Sequence, residues 1–90
     1  MINLILLLNK YNDIILDVSF YTKDDAVTLS GIKFKVYDYY NEDNCLVLTN
    51  KNGNELVLPT DNVEYIEDEE QTWVFKHGDL EIFVIYEEKN

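Results

Sequence analysis

Apolar and polar positions alternate along most of this chain, and the breaks in that alternation mark its elements. Residues 2–10 are apolar with little β-branching and read as a short helix, a strand being the alternative for so short a run. From Ile14 the period is 2. Ile14, Leu16, Val18 and Phe20 alternate with Ile15, Asp17, Ser19 and Tyr21, the pattern of a half-buried strand. A turn at Lys23-Asp24-Asp25 leads into a second run, where Leu29, Ile32, Phe34 and Val36 oppose Lys33, Lys35 and Tyr37. Gly31 shifts the phase of this run, which predicts a bulge or bend of the kind that curls a sheet.

Shorter segments follow. Asn41-Glu42-Asp43-Asn44 reads as a polar turn, and residues 45–49 as a strand with Leu46 and Leu48 on one face. Asn52-Gly53 is a strong hairpin signal, because both residue types tolerate positive φ. Residues 55–58 return with Leu56 and Leu58 inward, Pro59-Thr60-Asp61-Asn62 punctuates, and residues 63–67 form another strand. After the loop Glu67-Asp68-Glu69-Glu70, residues 72–76 and 80–87 make a last hairpin around His77-Gly78-Asp79. The expected fold is mainly β: one domain over residues 1–90, a short N-terminal helix, and a small, strongly bent antiparallel sheet or barrel of about six strands.

Charge narrows the function. The chain holds 18 Asp and Glu against 7 Lys, has no Arg, and carries a formal charge of −11. Proteins that grip nucleic acid neutralise phosphates with Lys and Arg, so direct nucleic-acid binding is not expected and a basic partner is. With 47% apolar residues and 13% aromatics, the charge sits on a folded scaffold rather than a disordered tail. Cys45 is the only cysteine, so neither an intrachain disulfide nor a thiolate metal cluster is available, which fits a reducing compartment. The apolar start lacks a positive n-region and a small-residue cleavage site, and no run approaches the roughly 20 apolar residues of a membrane span. A cytoplasmic protein without cofactor or membrane partner is expected.

The run Asp17-Val18-Ser19-Phe20-Tyr21 is followed by Thr28-Leu29-Ser30-Gly31-Ile32 in the long second strand. Asn44-Cys45-Leu46-Val47-Leu48, Glu55-Leu56-Val57-Leu58-Pro59 and Val63-Glu64-Tyr65-Ile66-Glu67 come next. Together with the helix-like start, these segments resemble the Sm-like and SH3-like small-barrel families over residues 2–67. The resemblance implies a helix, a long strand bent at a glycine, a short hairpin and a closing strand. Sm-like proteins bind RNA through basic loops. Here the corresponding turns offer Lys51 alone and Pro59-Thr60-Asp61-Asn62, so RNA binding does not carry over. The hairpin at residues 72–87 lies outside that pattern.

Three features are candidate sites. The first is the acidic run Glu64, Glu67, Asp68, Glu69 and Glu70, which strand pairing is expected to bring near Glu81 and Glu87. A solvated loop is the plain alternative. A calcium loop would need alternating oxygen ligands and a turn glycine, a spacing absent here. The second is Tyr37, Tyr39 and Tyr40 beside Asp38, Glu42 and Asp43, either strand-end packing or an aromatic patch that meets Arg by cation–π and ion-pair contacts. The third is the last hairpin. Trp73, Phe75, Phe83 and Ile85 make it apolar on both faces, which fits core burial or a homodimer through that hairpin. His77 reads as an exposed turn residue and Cys45 as a small buried hydrophobe.

No constellation for catalysis stands out. The only His and the only Cys lie in separate segments, and the three glycines are isolated, so no phosphate loop exists. The expected function is a non-catalytic acidic protein that docks on the basic nucleic-acid-binding surface of a larger protein and blocks it. In size and charge alone the chain resembles small acidic phage or plasmid counter-defence inhibitors, of the anti-CRISPR, anti-restriction or DNA-mimic type. The alternative is an Sm-like structural or oligomerisation module.

Overall fold

The computed structural model describes residues 2–11, 13–67 and 70–86. Helix α1 spans Ile2–Lys10, as its sequence predicts. Leu4, Leu7 and Leu8, spaced three and four apart, form one buried stripe, while Leu6 faces solvent. A nine-residue helix is not stable alone, so these leucines, docked on the core, hold it in place. Lys10 lies in the last turn, where a cation faces the negative end of the helix dipole.

Eight strands follow: β1 (Ile15–Thr22), β2 (Thr28–Lys35), β3 (Asp38–Glu42), β4 (Cys45–Thr49), β5 (Glu55–Pro59), β6 (Val63–Glu67), β7 (Gln71–His77) and β8 (Leu80–Tyr86). They form two antiparallel sheets, a large one in the order β2-β1-β8-β7-β6 and a small one in the order β3-β4-β5. This corrects the expectation of about six strands in one bent sheet or barrel. The long second run ends at Lys35 instead of continuing to Tyr37. Val36 N donates to Ile14 O at 2.8 Å, and Tyr37 N donates to Thr49 O at 2.7 Å, so the chain passes from one sheet to the other within two residues. Strand β3 was concealed because its only core-packed side chain is Tyr39. The turn read at residues 41–44 shrinks to Asp43-Asn44, since Glu42 pairs with Cys45.

The glycine signal was sound. Val18 pairs with Ile32 and Phe20 with Leu29, so β2 carries one extra residue at this point, and Gly31 adopts φ +73°. A β-carbon there would meet no neighbour, so the glycine serves the backbone angle alone.

The core lies between the sheets. The large sheet contributes Leu16, Val18, Trp73, Phe75, Ile82 and Val84, and the small sheet Leu46, Leu48, Leu56 and Leu58. Burying each aliphatic side chain is worth about 1.5–3 kcal/mol. Trp73 is fully buried, with its ring 5.4 Å from that of Tyr65. No polar or charged side chain is buried among the described residues. The carboxylates of the described residues are therefore a surface matter, and on the strands their arrangement is set by parity.

Candidate docking faces and a tyrosine-lined groove

Parity sorts the small sheet into two faces. Tyr39, Leu46, Leu48, Leu56 and Leu58 point to the core. The opposite face holds three cross-strand rows: Asp38–Thr49–Glu55, Tyr40–Val47–Val57 and Glu42–Cys45–Pro59. Its centre is apolar and its rim carries carboxylates. Tyr40 and Val57 flank Val47 and leave it only 4% exposed, although it lies on the face away from the core. Tyr40 donates from its hydroxyl to Glu55 Oε2 at 3.0 Å. That bond, supported by the nearby charges of Glu55 and Glu42, raises the phenol's pKa above its ordinary value. Asp43 extends the acidic rim into the turn at φ +51°, a backbone angle that aspartate tolerates better than most residues. No lysine belongs to these rows. Cys45 is half-exposed on this face and not buried as the sequence suggested.

The large sheet treats its outer charges differently. Lys33 Nζ lies 2.6 Å from Asp17 Oδ2 on the neighbouring strand, and Lys76 Nζ lies 3.1 Å from Glu64 Oε2. Glu81 stands opposite both Lys76 and Tyr21 in register. Between these charges the rings of Tyr21 and Phe83 meet edge to face at 5.4 Å.

The register overturns one expectation. Gln71 pairs with both Glu67 and Tyr86, so the acidic loop adjoins the far end of β8. Glu81 sits five residues along, roughly 17 Å away at strand spacing. Glu64, Glu67 and Glu70 are exposed on β6 and at the start of β7, Asp68 and Glu69 lie outside the described residues, and so does Glu87. The acidic loop and Glu81 therefore do not form one cluster, whereas Glu64 and Glu81 both neighbour Lys76.

Both strands of the last hairpin are interior to the large sheet, β8 between β1 and β7, and β7 between β8 and β6. The hairpin has no free edge for strand pairing with a second copy. Trp73 and Phe75 point to the core, and only Phe83 and Ile85 remain half-exposed on the outer side.

The tyrosines also divide. Tyr37 and Tyr39 line a groove of about 470 Å³ between the end of α1 and the crossing from β2 to β3, whereas Tyr40 belongs to the small sheet's outer face. Tyr39 is half-buried and donates its hydroxyl to Asn9 Oδ1 on α1, so it is a wall of the groove rather than an exposed anchor. Tyr11, Asp13, Asp38 and Lys51 complete the rim. The sequence did not signal Tyr11, Asp13 or Lys51 as partners of Tyr37, since they come from three segments that only the fold brings together.

His77 is exposed in its turn, with Nδ1 3.8 Å from Asp61 Oδ1. Among the described residues, no group of three or more His, Cys, Asp or Glu converges to hold a metal ion. No described helix is long and apolar enough to cross a membrane. Compared with protein-family models, with curated proteins and with solved structures, the chain matches none of them.

Proposed function

We propose that this chain is a non-catalytic acidic binding protein. It docks by the outer face of its small sheet on a basic, nucleic-acid-binding surface of a larger protein and keeps nucleic acid from that surface. The observation that supports this reading is the segregation of charge. Asp38, Glu42 and Glu55 flank the apolar row Tyr40–Val47–Val57 in rows without lysine, while lysines pair with Asp17 and Glu64 on the large sheet. An apolar centre within a charged rim is the layout of a protein interface, and the uncompensated sign selects a cationic partner. Regularly spaced carboxylates also compete directly with phosphates for Lys and Arg. Small acidic inhibitors of phage or plasmid origin, acting on CRISPR or restriction enzymes, would fit this description.

Salt-stepped capture from a cell lysate tests the reading. A large nucleic-acid-binding protein should be retained at low salt, released by salt, and displaced by its own nucleic acid. Combining Asp38→Asn, Glu42→Gln and Glu55→Gln should weaken capture by roughly tenfold or more. Equal loss from neutralising Asp17 and Glu64 instead would sink the assignment of the face. Recovery of the bait alone, sized as a ring, would favour the Sm-like oligomerisation module.

A further inference from the structure

The groove beside α1 has a composition unlike the rest of the surface. Tyr11, Tyr37 and Tyr39 wall it, and Asp13 and Asp38 stand at its rim. Tyr37 is 64% exposed, so most of its ring is open to solvent. One of the protein's own cations, Lys51, already lines the groove, and Lys10 lies beside the Tyr11 ring next to it in sequence. Lys51 Nζ lies 5.9 Å from the centre of the Tyr37 ring, and Lys10 Nζ lies 5.2 Å from that of Tyr11. Ammonium groups at these distances are drawn by the ring quadrupole. Asp38 also belongs to the outer row of the small sheet, so groove and docking face are continuous through one residue.

We infer that this groove receives an arginine side chain of the basic partner, held against Tyr37 and Tyr39 and paired with Asp13 and Asp38, with Lys51 displaced. A guanidinium suits the site better than an ammonium. It is flat, stacks on aromatic faces, and offers a fork of donors to carboxylates, whereas lysine presents a compact, strongly hydrated charge. The chain has no arginine of its own to fill the groove, and Lys51, in the turn between β4 and β5, is a weaker occupant of the same chemistry. The inference rests on the basic-partner reading for its biological setting, but not for its test.

The probe is N-acetyl-arginine amide, titrated at constant ionic strength and followed by the NMR ring resonances of the tyrosines. Saturable shifts confined to Tyr11, Tyr37 and Tyr39 are expected. Tyr37→Leu should weaken binding about fivefold through loss of the ring face. Asp38→Asn, a milder change, should weaken it about two- to threefold. Lys51→Ala should strengthen binding by removing the internal competitor, while Lys33→Ala leaves it unchanged. Linear, non-saturating shifts would overturn the proposal, as would weaker binding in Lys51→Ala. Equal binding of N-acetyl-lysine amide would overturn the assignment to arginine. Because no partner protein is present, failure here is distinguishable from failure of the docking face, which the capture experiment reads separately.

Discussion

The outer faces of the two sheets both carry carboxylates and dispose of them in opposite ways. On the large sheet, Asp17 and Glu64 each have a lysine on an adjacent strand, at 2.6 and 3.1 Å. On the small sheet, Asp38, Glu42 and Glu55 share their face with an apolar row and no lysine. Exposed pairs of the first kind add little stability. Their main effect is to cancel the field of the large sheet locally. The three cross-strand rows of the small sheet keep their negative charge without such local cancellation. Composition describes how much charge a protein has, and cross-strand register decides where it is felt.

The largest expected difference is structural. Leu48→Ala, in the middle of the small sheet's inner face, should cost about 3 kcal/mol, because a fully buried side chain leaves a cavity. On the outer face of the same sheet, Val57→Ala should stay within about 0.5 kcal/mol. Urea unfolding, read by the fluorescence of the buried Trp73, measures both. A comparable cost at Val57 would mean that this face is part of a core rather than a surface. Next in size is Gly31→Ala. Any side chain at φ +73° is strained, so a loss of about 1 kcal/mol is expected even though the β-carbon meets nothing. Smaller still, Lys33→Met should shift stability by no more than about 0.5 kcal/mol, because the Asp17 pair is solvent-exposed. The smallest effects are local titrations. Asp24 accepts from Ala26 N and from the Thr22 hydroxyl, both at 3.0 Å, and these bonds lower its pKa below 3.8. The stabilisation of that turn is present above pH 3.8 and is lost as pH falls through the lowered value, with the Ala26 amide shift as readout. Tyr40 moves the other way. Its contact with Glu55 is intact below pH 10.0 and is lost only as pH rises through the raised value. Phenolate absorbance should therefore lose a late-titrating group in Tyr40→Phe.

Much of the fold was legible because strands β1, β5 and β8 bury alternate residues, and Gly31 marked its bulge. Strand β3 was not, because Asp38-Tyr39-Tyr40-Asn41-Glu42 places one apolar residue inward and looks like a polar connection. The grouping of Glu81 with the acidic loop failed because proximity within a hairpin depends on which end is meant. Register fixes that, and periodicity does not. The groove was illegible for a related reason: Tyr11, Tyr37 and Lys51 meet only once α1 is docked and β2 has passed into β3.

Strand β8 lies between β1 and β7, so Asp17 meets Ile85 across the chain's longest pairing. Local hairpins such as β4–β5 and β7–β8 can close early, but the large sheet cannot be joined until β8 is available to bridge its halves. Loop closure over that span is slow, and folding of such topologies is rate-limited by it. During synthesis on a ribosome, β1 and β2 must wait as an incomplete pair while more than half of the chain emerges. In that interval the emerged chain is only weakly charged, since residues 1–60 hold 8 of the 18 carboxylates and 5 of the 7 lysines, so the repulsion that keeps chains apart arrives mainly with the last third.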